Sequence, residues 1–352
     1  MSGNAALGEA AVLAGCTCYF GYPITPQNEL TEYMAKRMPE AGGVFIQSES
    51  EIAAINMVLG ASVAGARAMT SSSSPGMSLK QEGISYLAAD ELPAVVVNMM
   101  RGGPGMGNIS PAQSDYMQAT RGGGHGDYKT IVLAPGSVQE LTEIVPLAFE
   151  LADEYRNPVV ILGDGMLGQM MEPVNFDDIK PPKAYLKDYI LTGAHGRPSR
   201  MVRSLLFDTK EEEEHNWKLF RKYQRIEQNE VRYETFMMED AEMVAIAYGI
   251  GARIVRGAIK RLRQENLKIG MIRPITLWPF PAKIIRETAK KVSDFFVFEM
   301  STGQMVEDVK LSLEGKGHIH FYGRPGGVIP TPIELYRIIS RHYYQARSRK
   351  KQ

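Results

Sequence analysis

The chain has 352 residues, of which 44% are hydrophobic and 23% are charged. These fractions are typical of a globular protein and argue against disorder or a coiled coil, and the length predicts about two domains. Forty basic side chains balance forty acidic ones. The sequence therefore lacks the positive charge with which nucleic-acid-binding proteins hold phosphates, and we expect no such partner.

Metal ligands and targeting segments are scarce in the sequence. Its two cysteines, Cys16 and Cys18, are too few for a disulfide framework, a four-thiolate zinc site or an iron–sulfur cluster held by this chain alone. The six histidines show no H-E-x-x-H spacing, so we expect no metal site. We also expect no membrane span, because apolar runs of ~18 residues are missing. The first fifteen residues lack the Lys or Arg of a signal peptide, which favours the cytoplasm.

Residues 1–170 alternate short apolar runs, typical of strands, with amphipathic segments, typical of helices. Thr25 and Pro26 predict an N-cap and first residue of a helix, and Ser48-x-x-Glu51 and Ser137-x-x-Glu140 have capping-box spacing. Nearly continuous apolar strands indicate a parallel sheet with helices on both faces, a doubly wound α/β domain. The predicted strands are 17–21, 43–47, 67–70, 94–100, 130–133 and 158–162, and the predicted helices are 26–38, 51–64 and 138–155.

Residues 171–240 predict a linker followed by a highly charged helical segment at 208–239. The alternation then resumes, and residues 241–352 predict a second, smaller α/β domain. Its predicted strands are 243–248, 268–272, 295–298 and 318–321, and its predicted helices are 252–265, 282–291 and 332–342.

Two glycine motifs imitate cofactor sites. Gly249 and Gly251 begin like a dinucleotide fingerprint, but Ile254 stands where the third glycine is needed for close helix–strand packing. Gly163-Asp164-Gly165 is the start of the magnesium-diphosphate pattern of thiamine enzymes, but the Asn expected about 30 residues later is missing. We interpret the second motif as a strand end and a turn.

Three polar residues follow predicted strands and should meet at one edge of the sheet. Thr25 follows the first strand, Glu51 opens the helix after the second, and Arg101 follows the fourth. Ligands of open α/β sheets bind beyond the carboxyl ends of the strands, and an arginine can grip a carboxylate with two parallel hydrogen bonds. From the residues alone, these three predict a site for an anionic ligand beside a partly buried acid. Each could equally be structural: a cap, a capping-box partner and a solvated strand end.

Long segments around these residues resemble the α subunit of 2-oxoacid:ferredoxin oxidoreductases, especially the branch that acts on branched-chain 2-oxoacids such as 2-oxoisovalerate. The segments are GYPITP, ESEIAAINMVLGAS, TSSSSPG, RGGPGMGNISPAQSD, GGGHGDYKTIVLAPGS, VAIAYGIGARIVRGAIKRLR and IRPITLWPFP. The resemblance covers nearly the whole chain. It implies a pyrimidine-binding domain followed by a transketolase-C-terminal-like domain.

The resemblance also implies a division of labour in a hetero-oligomer. Thiamine diphosphate would lie between this subunit and a β subunit that holds the diphosphate and Mg²⁺. A γ subunit and a ferredoxin-like δ subunit, with its [4Fe–4S] clusters, would complete the complex. The implied reaction is oxidative decarboxylation of the 2-oxoacid to acyl-coenzyme A and CO₂, with the electrons passed to ferredoxin.

The same resemblance assigns residue roles. Glu51 would be the catalytic acid that hydrogen-bonds N1′ of the aminopyrimidine, whereas Glu49 is the weaker candidate. Thr25 and Arg101 would bind the substrate, and Tyr22 and Pro23 would shape the wall beside the cofactor. For substrate choice, Met99, Met100, Met106 and Ile109 flank Arg101 and suit an apolar substrate side chain, whereas Lys80, Arg121 or His125 could supply the second cation that 2-oxoglutarate requires.

Other functions remain open at this stage. The nearest alternative is a 2-oxoglutarate or indolepyruvate enzyme of the same family. A nicotinamide-dependent dehydrogenase would rest on Gly249 and Gly251, and tight NAD(H) binding would support it. A non-catalytic scaffold subunit would tolerate the loss of both Glu51 and Arg101.

Overall fold

A computed structural model of the chain describes residues 1–177, 179, 183 and 185–349. Its strands are β1 Cys18–Gly21, β2 Val44–Gln47, β3 Ala68–Ser72, β4 Ala94–Met100, β5 Ile131–Leu133, β6 Pro158–Asp164, β7 Tyr233–Phe236, β8 Met243–Ile246, β9 Ile269–Pro274, β10 Thr276–Trp278, β11 Asp294–Glu299 and β12 His318–Gly323. Its helices are α1 Gly3–Leu13, α2 Asn28–Glu40, α3 Glu51–Val63, α4 Ser74–Ala89, α5 Tyr116–Arg121, α6 Val138–Tyr155, α7 Gly165–Gln169, α8 Thr209–Asn229, α9 Gly249–Gln264, α10 Ala282–Thr288, α11 Met305–Leu313 and α12 Pro332–Arg349.

The first sheet is the doubly wound layer predicted from the sequence. Its strand order is β10-β5-β6-β4-β3-β1-β2, and β10 alone runs antiparallel to its neighbour. The chain leaves β1 in one direction through α2, and returns from β2 across β1 through α3. Right-handed crossovers in opposite directions place α2 and α3 on opposite faces of the sheet. The sheet is therefore covered on both sides.

The second sheet forms a smaller α/β layer with the order β12-β11-β8-β9-β7, in which β7 runs antiparallel to β9. Helix α9 packs with α12, and α10 packs with α11. Within the described residues, no helix has the length and apolar character needed to cross a bilayer.

Gln113 joins the two sheets. From the loop after β4, it places its side chain between the start of α9 and the end of β11. Its Nε2 donates to the carbonyl of Tyr248 at 3.1 Å, and its Oε1 accepts from the backbone N–H of Met300 at 3.0 Å. The side chain is fully buried. Its hydrogen bonds are therefore stronger than they would be in water, because the protein interior has a lower dielectric constant.

Helix α3 begins at Glu51 as predicted, but its cap is not the predicted one. Helix α3 is capped by Ser50, whose Oγ accepts from Ala53 N–H, whereas the Ser48 hydroxyl donates to the carbonyl of Gly21. The prediction of Ser48 as the cap was therefore wrong, because its hydroxyl is hydrogen-bonded to the end of β1. The predicted helix at 138–155 is confirmed, with Ser137 as its cap.

Helix α2 begins at Asn28, not at Pro26, and Thr25 is not its N-cap. The Pro26 carbonyl instead accepts hydrogen bonds from Asn4 Nδ2 at 2.9 Å and Gln169 Nε2 at 3.0 Å. Side chains of α1 and α7 thus hold this segment as a loop beyond β1.

Strands β7 and β10 are missing from the predicted elements. Strand β10 pairs with β5 of the first sheet, and β7 lies in the segment read as linker and charged helix. Both strands are short and antiparallel, so their pairing depends on partners distant in sequence.

Helix α9 begins at Gly249 and β8 ends at Ile246, because Gly249 takes a φ of +53° that lets the backbone turn directly from strand to helix.

Candidate active site

The predicted site residues all follow parallel strands at the carboxyl edge of the first sheet. The strand order has a switch point between neighbouring strands β1 and β3, because the chain leaves β1 towards β2 and leaves β3 towards β4. Such switch points are where open α/β sheets bind ligands. The loop after β1 carries Tyr22, Pro23 and Thr25, the turn after β3 leads into α4, and Arg101 follows β4 directly.

Glu51 is the first residue of α3 and is buried, with 7% of its surface exposed. Its side chain extends to the start of α4, where its Oε1 lies so near Gly76 that a Cβ there would stand 2.5 Å away. In the described residues, its carboxylate receives no hydrogen bond, although its charge interacts with that of Lys80. A buried carboxylate with free acceptor sites is suited to take a hydrogen bond from a ligand.

Arg101 is equally buried at 7% exposure. Its two terminal nitrogens donate to the carbonyls of Thr25 at 2.9 Å and Met106 at 3.2 Å, and its Nε has no partner in the part of the chain that is described. Ion pairing to a carboxylate is likewise missing among these residues. An unpaired buried cation is costly, so the geometry suits an anionic ligand at this position.

Thr25 contacts Arg101 through its backbone carbonyl and does not cap a helix. Its carbonyl receives the arginine hydrogen bond, and its Oγ1 receives one from Asn28 Nδ2 at 3.3 Å. Tyr22 and Pro23 are exposed on the same loop. Both therefore present solvent-accessible surface directly after β1.

The end of β3 and the residue after it add groups that the sequence reasoning missed. The hydroxyls of Ser72 and Ser73 are buried without a hydrogen-bond partner in the described structure. A Cβ on Gly76 would stand 2.1 Å from Ser72 Oγ, so only glycine lets α4 begin this close to the serine. In the sequence, the serines of TSSSSPG directly follow the predicted strand 67–70. Serines in that position indicate polar groups at the carboxyl edge of the sheet, where a ligand can bind.

A second missed group, Asp115, holds the backbone of Arg101 in place. Its Oδ2 accepts from Ser74 Oγ at 2.5 Å and from Asn98 Nδ2 at 2.9 Å. The Ser74 hydroxyl oxygen in turn accepts from the backbone N–H of Arg101 at 3.0 Å. Burial raises the pKa of Asp115, although the two hydrogen bonds oppose the shift. The network fixes the end of β4 against the start of α4.

The two glycine motifs have structural roles. Asp164 ends β6 and caps α7, where its Oδ1 accepts from Met166 N–H at 3.0 Å and Leu167 N–H at 3.1 Å. The predicted strand end is confirmed, but a short helix follows it rather than a turn. Burial raises the pKa of Asp164 to about 6. At Gly251, a Cβ would stand 3.1 Å from Gln113 Oε1, so this chain's own glutamine takes the space in front of that helix.

Two family profiles match the chain. Residues 9–252 match a profile described as pyruvate flavodoxin/ferredoxin oxidoreductase, thiamine diphosphate-binding. Residues 241–335 match core domain II of pyruvate:ferredoxin oxidoreductase. Together they span both sheets.

Two curated proteins are similar over nearly their whole lengths. The chain is 50% identical to ketoisovalerate oxidoreductase subunit VorB of Methanothermobacter marburgensis, with 97% of this chain and 96% of that protein covered. It is 38% identical to 2-oxoglutarate synthase subunit KorA of Methanothermobacter thermautotrophicus, with 96% and 97% covered.

Solved structures show the same architecture. A 2-oxoglutarate:ferredoxin oxidoreductase from Magnetococcus marinus, with 2-oxoglutarate, coenzyme A and succinyl-CoA bound, aligns with a TM-score of 0.87 and 29% identity over 97% of this chain and 65% of that chain. A split gene transketolase aligns at 14% identity with a TM-score of 0.62 over 98% of both chains, a likeness of fold alone. The resemblance drawn from the motifs is confirmed, and the chain belongs to the pyruvate flavodoxin/ferredoxin oxidoreductase family.

Proposed function

We propose that this chain is the pyrimidine-binding subunit of a thiamine diphosphate-dependent complex that oxidatively decarboxylates a branched-chain 2-oxoacid, 2-oxoisovalerate, to acyl-coenzyme A and CO₂. The electrons pass to ferredoxin. The observation that carries the proposal is the pair of buried, opposite charges at one sheet edge. Glu51 offers a carboxylate without a hydrogen bond, and Arg101 offers a guanidinium without a carboxylate partner, within the described residues.

The groups beside Glu51 fit an aminopyrimidine ring. The carboxylate can accept a hydrogen bond from a protonated ring nitrogen, and the unpartnered Ser72 hydroxyl, which lies beside Gly76 as Glu51 Oε1 does, can bond to the polar edge of such a ring. Tyr22 and Pro23 form the exposed wall that the resemblance assigns to the cofactor. When bound, thiamine diphosphate supplies the nucleophilic carbon and the electron sink for decarboxylation.

The protein's part in this reaction is to bind, orient and hold a proton. Glu51 holds the proton that is shared with N1′ of the pyrimidine. The Ser50 cap fixes the start of α3 and with it the backbone of Glu51. Arg101 binds the carboxylate of the 2-oxoacid through the guanidinium edge that includes its unpartnered Nε. Thr25 holds this guanidinium through its carbonyl and offers its hydroxyl to the substrate.

The diphosphate and its Mg²⁺ belong to the β subunit in this proposal. Asp164 of the Gly-Asp-Gly motif is only 1% exposed, and its Oδ1 already serves as the cap of α7 by accepting from two helix N–H groups. The γ subunit, the ferredoxin-like δ subunit with its [4Fe–4S] clusters, and coenzyme A complete the reaction. We expect this hetero-oligomer in the cytoplasm.

The surroundings of Arg101 favour an apolar substrate side chain. Of the three candidate second cations, Lys80 is fully buried, Arg121 pairs with Asp308 at 2.5 Å, and His125 lies against Tyr86 near the end of α4. None is placed as a free cation beside Arg101 in the described structure. Met106 and Ile109 are exposed on the loop that follows Arg101, whereas Met99 and Met100 are core residues.

Turnover by the reconstituted complex tests the proposal. We expect coenzyme A- and thiamine diphosphate-dependent reduction of a ferredoxin-like dye, fastest with 2-oxoisovalerate and slower with 2-oxoglutarate or pyruvate. A preference for 2-oxoglutarate would assign the chain to the alternative enzyme of the family. Reduction of NAD in place of the dye would refute the proposal in favour of a nicotinamide enzyme.

A further inference from the structure

Lys80 is a buried lysine that the proposed reaction does not use. It lies on α4 with 0% of its surface exposed. Burying an ammonium group is costly unless it is paired. Burial lowers its pKa to about 8, and the nearby charge of Glu51 opposes that shift.

One face of α4 brings Lys80 against the start of α3. Gly76, Lys80 and Gly83 recur at the spacing of a single helix face. A Cβ on Gly76 would stand 2.5 Å from Glu51 Oε1, and one on Gly83 would stand 2.5 Å from Ile55 Cγ2. The two glycines therefore let the helices pack closely, and Lys80 is enclosed between them.

The ammonium joins three elements. It donates to the backbone carbonyl of Glu51 at 3.4 Å and to Thr70 Oγ1 on β3 at 3.2 Å. No carboxylate among the described residues is within ion-pair distance of it, although the Glu51 side chain supplies the opposing charge. A methionine would fill similar space without the cost of desolvating a charge.

We propose that Lys80 is a positioning residue for Glu51: its ammonium fixes the first turn of α3 against β3 and places a positive charge behind the Glu51 carboxylate. This inference rests on the proposed function, because it assumes that Glu51 faces the pyrimidine ring. In this inference Lys80 positions Glu51 and does not bind the distal carboxylate of a substrate such as 2-oxoglutarate.

The test compares Lys80→Met with Lys36→Met in the reconstituted complex. Lys36 is an exposed lysine of α2, and its substitution should change nothing. For Lys80→Met we expect at least a tenfold fall in kcat with KM for the 2-oxoacid within twofold, and an altered near-ultraviolet circular dichroism band of the bound coenzyme. Amide hydrogen exchange at residues 51–55 should be several-fold faster in the cofactor-free complex.

Wild-type kcat, dichroism band and exchange in Lys80→Met would overturn the assignment, as would faster exchange alone, since that marks a merely structural role. If that variant does not assemble, Thr70→Val removes one of the two acceptors and is judged by the same readouts. Failure of the proposed function looks different: the wild-type complex would then lack thiamine diphosphate-dependent turnover.

Discussion

Glu51 and Glu49 are two carboxylates separated by one residue but in opposite environments. Glu51 is buried beside Gly76, whereas Glu49 is exposed and accepts from the Ser50 hydroxyl at 3.3 Å. Burial, rather than residue type, therefore separates the candidate acid from its neighbour. The pair offers a matched test of the catalytic assignment.

We expect Glu51→Gln to lower kcat by roughly 10²–10⁴-fold, the range for a positioned acid–base group. The amide keeps the size of the side chain but cannot hold the shared proton. Steady-state turnover of the reconstituted complex measures the effect. Glu49→Gln is the control and should retain full activity; equal effects of the two substitutions would reject the assignment.

Arg101→Ala should raise KM for the 2-oxoacid and lower kcat/KM by about ten- to a hundredfold, since hydrogen bonds to charged groups contribute about 1.5–3 kcal/mol. The matched control is Arg286→Ala. Arg286 forms a surface ion pair with Glu314 at 2.7 Å, and such pairs contribute little. Unchanged kinetics in Arg101→Ala would show that the arginine is only a structural strand end.

The sequence could predict that Glu51 and Arg101 lie at the same edge of the sheet, because the carboxyl ends of parallel strands share one edge. It could not predict the role of Thr25, which was expected to cap a helix that begins at Pro26. That segment is a loop, and the Pro26 carbonyl accepts from the side chains of Asn4 and Gln169. The unpartnered serine hydroxyls and Lys80 were missed as well. Their roles depend on burial between elements that are distant in the chain.

At the scale of elements, the contact between α3 and α4 decides where Glu51 lies. Glycine at position 76 allows this contact, since any side chain there would overlap Ser72 Oγ and Glu51 Oε1. By contrast, Gly60 of α3 has open space where a Cβ would be. The two glycines therefore differ in what a methyl group would do.

We expect Gly76→Ala to lower kcat at least tenfold by displacing the Glu51 carboxylate. Gly60→Ala should leave activity unchanged and raise the free energy of unfolding by up to about 1 kcal/mol, because alanine is the better helix former. Turnover and thermal unfolding of both variants measure these effects. An active Gly76→Ala enzyme would show that Glu51 does not need its present position.

Elements with a clear local pattern were predicted whatever their length: the three-residue β5 was predicted, but the 11-residue α1 and the 16-residue α4 were missed. Strand β4 and helix α6 have the predicted bounds, because each has a clear apolar pattern and, for α6, a serine cap. Strands β7 and β10 were missed because four- and three-residue antiparallel strands are set by tertiary pairing rather than by a local pattern.

At the scale of the whole molecule, Gln113 connects the two sheets. We expect Gln113→Ala to destabilise the protein by about 2–4 kcal/mol, because two buried backbone groups lose their partners. Thermal unfolding should shift down by several degrees. Gln345→Ala, on the exposed face of α12, is the control. An unshifted transition in Gln113→Ala would mean that other contacts suffice to hold the sheets together.

The account's central claim is that this chain supplies the acid beside a coenzyme whose charged tail is held by another subunit. A structure of the assembled complex with thiamine diphosphate tests it directly. We predict that the Glu51 carboxylate lies about 2.6–3.2 Å from the pyrimidine N1′, with the diphosphate on the partner chain. A coenzyme ring bound away from Glu51, or held entirely within another subunit, would contradict the account.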